Sequence, residues 1–222
     1  MRPDAKERAR LLSSDPRRHA VFGRYPIGGF ETPFRGRGGT PGARNPAGVK
    51  LRPVAVVVWA ALSATCFAVF GLTLEALVAV AGCAVLVALT VTDLERRIVP
   101  NRIVLPALVA ALAVQTIRDP SVVWLLAALA AGGFFFLLAA VHPAGLGMGD
   151  VKLAAFLGAW LGWDVAVALF VGSLLGALPA LVVLARAGSS GRKQTLPYVP
   201  ALAAGAVVGL FVGDAVLDAW LG

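Results

Sequence analysis

The chain of 222 residues is strongly apolar, with 59% hydrophobic residues, 14% charged residues and a mean hydropathy of +0.82. This composition excludes an ordinary soluble globular domain and indicates a membrane protein. The net charge of +8 does not indicate binding to nucleic acid, because 11 of the 20 basic residues lie in residues 1–50 and most of the others flank apolar segments, which is a signal of membrane topology.

Residues 1–50 differ in composition from the rest of the chain. They contain eight glycines, six prolines and no periodic apolar pattern, which predicts a basic, disordered cytoplasmic tail. No apolar stretch near the start has the character of a cleaved signal peptide. We expect residues 51–222 to form one transmembrane domain.

The apolar segments after the tail predict an all-α, polytopic membrane helix bundle. About 20 apolar residues are needed for a helix to cross the hydrocarbon layer. The predicted spans are 53–72, 74–92, 101–118, 121–141, 151–163, 164–185 and 198–221. The fifth is short, so we expect it to be tilted, half-buried or re-entrant, and the last case would leave six full spans.

The basic residues predict how these spans are oriented. With the tail on the cytoplasmic side, seven spans place 19 of the 20 basic residues on that side and only Arg118 on the other, which agrees with the positive-inside rule. The same arrangement places Asp93, at the end of the second span, and Asp150, at the start of the fifth, on the cytoplasmic face. We therefore expect the two carboxylates to meet.

A glycine-rich segment precedes the second of these acids. Gly145, Gly147 and Gly149 permit positive φ and close approach of other backbone or of a substrate. Irregular backbone at membrane depth is tolerated only where protein or a water-filled cavity satisfies its polar groups. The apolar run from Val151 predicts that Asp150 lies at or near a helix N-terminus, where free amides and the helix dipole favour an ionised carboxylate.

Two interpretations of the acids follow from the residues. Taken singly, Asp150 is a helix N-cap and Asp93 is an interfacial acid neutralised by Arg96 or Arg97. Taken together, they form a pair in which one carboxyl keeps a proton while the other activates water, because two close carboxylates cannot both ionise cheaply. This is the chemistry of aspartic proteases, and the shared proton belongs to the pair.

The other chemically capable residues favour structural roles. We interpret Lys152 as a snorkelling cytoplasmic anchor in preference to a substrate contact. His142 has no second ligand at metal-binding spacing, and Ser173 lacks the histidine of a catalytic triad. Cys66 and Cys83 form no CxxC pair, so we predict small packing residues with neither zinc site nor disulfide.

Three stretches of the sequence resemble the signatures of bacterial type IV prepilin peptidases. They are TDLERRIVPNRIVLP from Thr92, GMGDVKLAAFLGAWLGW from Gly147 and LPYVPALAAGA from Leu196. The second contains the GxGD motif, which is the most specific of the three. In the third, Val199 stands where the family usually has glycine.

The resemblance implies a membrane aspartic endopeptidase that needs neither metal nor organic cofactor. Its substrates would be prepilins, prepseudopilins or related precursors, which carry glycine before the cut and a hydrophobic helix after it. The enzyme would remove their short basic leader at the cytoplasmic face of the bacterial plasma membrane, with membrane lipid but no nucleic acid as a further partner. Asp93 and Asp150 would be the catalytic pair, and Gly147 and Gly149 would form the active-site loop. The candidate supporting or substrate-binding residues are Lys152, Pro100, Asn101, Pro197, Tyr198 and Pro200.

Some alternatives remain open at this point. Many members of the family also carry paired CxxC motifs and methylate the cleaved pilin, and we do not expect methyltransferase activity here because this chain lacks those motifs. Presenilins and signal peptide peptidases share GxGD and a Pro-Ala-Leu motif, which occurs here at 179–181 and 200–202, and preflagellin peptidases share the aspartate arrangement. A small transporter, a noncatalytic assembly protein and an inactive peptidase homologue are the remaining alternatives.

Overall fold

The fold is a bundle of membrane-length helices. The computed structural model describes residues 51–141, 146–187 and 197–221, so the predicted basic tail and His142 lie outside the described residues. Within this part of the chain every regular element is helical, as predicted. The seven α-helices are α1 Leu51–Phe70, α2 Leu74–Arg96, α3 Asn101–Arg118, α4 Val123–Val141, α5 Met148–Leu161, α6 Val165–Ala187 and α7 Val199–Leu221.

Six segments of the described chain are long and apolar enough to cross a membrane, so the protein is a multi-pass membrane protein. Helix α5 has only 14 residues, which corresponds to a length of about 21 Å. Alone it is shorter than a membrane span. It is long enough only together with α6, in the apolar stretch Met148–Pro179. The seven predicted segments therefore agree with the helices, and the fifth is short, as predicted.

A tight turn separates α5 from α6. Residues Gly162–Asp164 form a single turn of 3-10 helix, and Gly162 has φ +63. A Cβ atom at Gly162 would lie 3.0 Å from the ring of Trp124. Both the left-handed backbone and the close aromatic ring therefore require glycine at the point where the chain reverses.

Helix α5 lies at the centre of the bundle and runs alongside α3. Near its start, the Lys152 side chain donates a hydrogen bond to Oδ1 of Asn101, at the start of α3. Near its end, the carbonyl oxygen of Trp160 accepts a hydrogen bond of 2.6 Å from Nε2 of Gln115, in the last turn of α3. The start of α5 therefore contacts the start of α3, and the end of α5 contacts the end of α3. Because α5 runs along α3 in this way, it crosses the bundle and does not turn back as a re-entrant segment would.

Small residues let the helices approach closely. Gly158 of α5 packs directly on the backbone of Ala127 in α4, and Gly205 of α7 packs on the backbone of Ala168 in α6. Such contacts supply van der Waals packing where lipid provides no hydrophobic driving force. Helices α4 with α5, and α6 with α7, form the most extensive pairs, whereas α1 packs mainly against α2.

The two cysteines lie between α1 and α2. Cys66 and Cys83 are fully buried, as expected for packing residues. Their thiol groups lie close to each other. The sequence did not predict this contact, because spacing along two separate helices does not show which faces meet.

Candidate active site

Asp93 and Asp150 meet at one end of the bundle, which we call the aspartate end. Asp93 lies in the last turn of α2 and is 6% exposed. Asp150 lies in the first turn of α5. Their carboxylates are close enough for the charge of Asp93 to act on Asp150. The structure thus brings together the two acids that the orientation of the spans placed on one face.

The N-terminus of α7 holds Asp93. The backbone N–H of Val199, the first residue of α7, donates a hydrogen bond of 3.2 Å to Oδ2 of Asp93. The unpaired amides and the positive end of the dipole at a helix N-terminus stabilise a carboxylate. The positive charge of Arg97 is also close to this carboxylate. Asp93 is therefore a buried group held by another helix, and the interpretation as an interfacial acid neutralised by arginine describes only part of its surroundings.

Asp150 is held by the start of its own helix. Oδ2 of Asp150 accepts a hydrogen bond of 3.1 Å from the backbone N–H of Gly147, which is the N-cap residue of α5. Helix α5 begins at Met148, three residues before the predicted start at Val151. Asp150 therefore lies near a helix N-terminus, as predicted, although it is not itself the N-cap, because its carboxylate reaches back to the cap from the third position of the helix.

The two carboxylates share one arrangement. Each is fixed through Oδ2 by a backbone amide at a helix N-terminus. The backbone of Tyr198 also donates to the Asp93 carboxylate, so the segment that begins α7 holds this acid at two neighbouring residues. Among the described residues, no group of three or more His, Cys, Asp or Glu side chains could hold a metal ion. The arrangement can position a water molecule and transfer protons.

The structure shows one of the two properties predicted for the glycines of the active-site loop, the close approach of another part of the chain. Gly147 has φ −86, so it does not use a left-handed conformation, and Gly145 lies outside the described residues. At Gly149 the important property is the missing side chain. A Cβ atom there would lie 2.8 Å from Cβ of Val99, which precedes Pro100, the N-cap of α3. Gly149 therefore allows the start of α5 to pack against the segment before α3.

Lys152 links two helix starts at the aspartate end. Its Nζ donates a hydrogen bond of 2.8 Å to Oδ1 of Asn101. The sequence favoured an anchor that reaches the membrane surface, whereas the structure shows a side chain bound to the first residue of α3. This bond connects the turn that carries Asp150 to α3.

Tyr198 lies beside both aspartates. Its hydroxyl group donates a hydrogen bond of 3.0 Å to Oγ of Ser173 in α6, and its ring packs directly on Gly176. Burial raises the pKa of the Tyr198 phenol, and the negative charge of Asp150 raises it further, whereas the Ser173 hydroxyl, which can turn to donate to the phenolate, opposes the shift. Ser173 thus supports this site although the sequence assigned it no role there.

The two prolines that flank this segment are also at the aspartate end. Pro197 is half-buried just before α7. Pro200 lies in the first turn of α7, where its missing N–H is tolerated, and it lines an apolar groove between α1, α2 and α7. All the predicted site residues therefore lie at or near helix ends at the aspartate end of the bundle.

Comparison with known proteins identifies relatives. The model of the type IV leader peptidase family matches residues 80–182, which include both aspartates. The curated prepilin leader peptidase/N-methyltransferase of Bacillus subtilis (strain 168) is 38% identical over 177 residues, covering 76% of this chain and 69% of the relative. Proteins of the same name from Burkholderia pseudomallei (strain K96243) and Legionella pneumophila are 33% and 29% identical.

These relatives are longer than the matched region. The matches cover 80% of this chain but 59% of the Burkholderia protein, and 69% of this chain but 56% of the Legionella protein. No solved structure matches the chain. The identity to the Bacillus protein over more than two thirds of both chains, together with the family match across both aspartates, shows that this chain belongs to the type IV leader peptidase family.

Proposed function

We propose that this protein is a membrane aspartic endopeptidase that removes the N-terminal leader from prepilin-like precursors, with Asp93 and Asp150 as its catalytic pair. The observation that carries the proposal is the meeting of two carboxylates from separate helices, each held through one oxygen by a helix N-terminus. Membership of the leader peptidase family supports the reaction and the substrate class.

The proposed reaction uses the pair as one base and one acid. The ionised carboxylate accepts a proton from water as the water oxygen attacks the scissile carbonyl carbon, while the protonated carboxyl donates its proton to the carbonyl oxygen. The tetrahedral intermediate then collapses, the carbon–nitrogen bond breaks, and the leaving amine takes the proton that came from water. The proton on the oxygen returns to the pair, which regains its starting state with one shared proton.

The remaining residues would fix this geometry. The amides of Gly147 and Val199 hold the carboxylates in orientations suited to a shared water molecule, so that little reorganisation is needed during the reaction. The bond between Lys152 and Asn101 fixes the start of α5. Tyr198 keeps its phenol protonated beside the pair and contributes a polar wall to the cleft.

We place the aspartate end at the cytoplasmic face of the bacterial plasma membrane, with the N-terminus on the cytoplasmic side. The distribution of basic residues supports this orientation, since 19 of 20 then lie on the cytoplasmic side. Substrates with a basic leader and an apolar helix would present their cleavage site at this boundary.

The proposal is tested by coexpressing the protein with a tagged prepilin and measuring cleavage in membranes. Asp93→Asn and Asp150→Asn keep the side-chain size but remove the titrating acid, and each should reduce cleavage by about 10²–10⁴-fold. Asp218→Asn is the matched control, because Asp218 is exposed near the far end of α7, and it should cleave like the parent. Blotting of the membranes checks that all variants accumulate. Full cleavage by either active-site variant would show that the replaced aspartate is not catalytic.

A further inference from the structure

An apolar groove runs along the bundle next to the aspartate pair. It has a volume of about 400 Å³ and lies between α1, α2 and α7. Its lining is apolar apart from Thr90 and comes from the halves of these helices nearest the aspartate end. Its lining includes Ala55, Val58, Val91, Leu94, Pro200 and Ala204.

Two of the helices that line the groove meet beyond it. Away from the aspartates, the rings of Phe70 in α1 and Phe211 in α7 stack with their centroids 5.9 Å apart. The lining on α1 starts at Leu51 and ends at Leu62, a stretch of about 17 Å along a helix axis. The groove thus offers about three helical turns of apolar surface between two helices that touch beyond it.

The lining of the groove reaches the residues next to the catalytic geometry. Neither aspartate lines the groove, but Leu94 lines it and follows Asp93 in α2, and Pro200 lines it and follows Val199 in α7. Asp93 and Val199 are the two residues joined by the hydrogen bond that fixes the carboxylate. The groove therefore ends beside the aspartate pair.

We propose that this groove binds the first turns of the hydrophobic helix that follows the cleavage site in the precursor. This inference rests on the proposed peptidase function and assigns the surface that selects its substrate. Small residues such as Ala55 and Ala204 leave room for another helix to approach closely, which is how helices associate in lipid. The substrate helix then directs its N-terminal end, and with it the scissile bond, towards Asp93.

A second groove between α1 and α2, which shares Ala55, Val87 and Val91 with the first, provides a comparison. It has a volume of about 550 Å³ and lies against α2 and the start of α3, but its lining includes the charged residues Arg52, Glu95 and Arg96. Charges at this surface suit lipid headgroups and loops better than an apolar helix. Ala88 of α2 lines only this second groove, and it therefore supplies a control position.

The first experiment fills each groove with a bulky side chain. Ala204→Phe narrows the proposed binding groove, and Ala88→Phe narrows the second one. We expect cleavage of a coexpressed prepilin to slow at least tenfold in Ala204→Phe and to stay within twofold of the parent in Ala88→Phe. Cleavage of both variants within twofold of the parent would mean that the groove holds only lipid, and this would overturn the proposal.

The second experiment detects the bound helix by disulfide cross-linking. Ala204→Cys and Ala88→Cys are each combined with Asp150→Asn, which retains uncut substrate, and with a prepilin that carries one cysteine two turns after its cleavage site. Mild oxidation should cross-link the prepilin to the first variant and not to the second. The Asp150→Asn protein without an added cysteine controls for Cys66 and Cys83. This experiment decides the question if Ala204→Phe fails to accumulate.

The outcomes separate the two proposals. If the parent protein cleaves no prepilin, the proposed function fails and this inference fails with it. If the parent cleaves but neither filling nor cross-linking distinguishes Ala204 from Ala88, the peptidase assignment stands and the groove assignment is wrong. Slower cleavage and cross-linking only at Ala88 would move the substrate helix to the second groove and would also overturn the inference.

Discussion

The backbone N–H of Val199 holds the carboxylate of Asp93 across 106 residues of chain, with 3.2 Å between nitrogen and Oδ2. Helix α7 therefore contributes to the site through its backbone. Any residue other than proline can supply this donor, so a change from the glycine that is usual in the family to Val199 leaves it intact. The position is nonetheless sensitive to the loss of the N–H group.

Replacing Val199 by proline should disable this contact selectively. Proline is tolerated at the first position of a helix, so Val199→Pro removes the N–H without preventing α7 from starting. A hydrogen bond to a charged group contributes about 1.5–3 kcal/mol, and we expect prepilin cleavage to fall by roughly 10–100-fold. Val199→Ala is the control, because it shortens the side chain and keeps the N–H, and it should lose much less activity. Equal losses in the two variants would assign the effect to packing.

The bond between Lys152 and Asn101 should act as one positioning unit. We expect Lys152→Met and Asn101→Ala each to slow cleavage by about 2–10-fold, the range for a net hydrogen bond of 0.5–1.5 kcal/mol. The double variant should be no slower than the worse single variant, because the second change removes a bond that is already lost. Cleavage rates at saturating and limiting prepilin would measure this coupling. Strictly additive losses would show that the residues act independently.

The close contact at Gly149 should make this position intolerant of a methyl group. A Cβ there would lie 2.8 Å from Cβ of Val99, so Gly149→Ala should displace the start of α5 and reduce cleavage at least tenfold. Adding Val99→Gly removes the opposing Cβ and should restore part of the activity. Gly133→Ala in α4 is the control, since nothing lies within 4 Å of its added Cβ, and it should leave both cleavage and melting temperature in detergent unchanged or raised. Equal damage at both glycines would contradict this account.

The phenol of Tyr198 should report the charge of Asp150. Burial and this charge raise the pKa of Tyr198 above its usual value of 10.0. Absorbance titration of tyrosinate in a Tyr25→Phe background should therefore show a lower pKa after Asp150→Asn and a higher one after Ser173→Ala, which removes an opposing hydrogen bond. The unfolded chain releases this proton first, so the contribution of Tyr198 to stability is complete below about pH 10 and is lost as the pH rises through the folded-state pKa. Shifts of the same sign in both variants would contradict the assigned contacts.

The helices and the meeting of the aspartates could be predicted because they depend on properties of individual segments of the sequence. Crossing a membrane requires apolar segments of a minimum length, and basic residues favour one side of it. Together these rules assign Asp93 and Asp150 to the same end of the bundle without any knowledge of packing. The start of α5 at Met148, in place of Val151, was missed because the helix begins within a polar, glycine-rich segment that hydrophobicity does not detect.

The contacts between helices could not be predicted in the same way. The partner of Lys152 is Asn101, 51 residues away, and which face of α3 meets α5 depends on the packing of every helix between them. The same applies to the bond between Gln115 and Trp160, and to the contact of the two cysteines. The sequence predicted a close approach at Gly149, but it could not show that Val99 is the residue that occupies the space.

The shortness of α5 affects how water reaches the aspartates. A helix of about 21 Å is shorter than the hydrocarbon layer, which is about 30 Å thick, and Asp150 lies in the first turn of this short helix. Nine of the 14 residues of α5 are buried, so protein and not lipid surrounds it. Polar groups at the end of such a helix can be solvated only through a cavity between the longer helices around it.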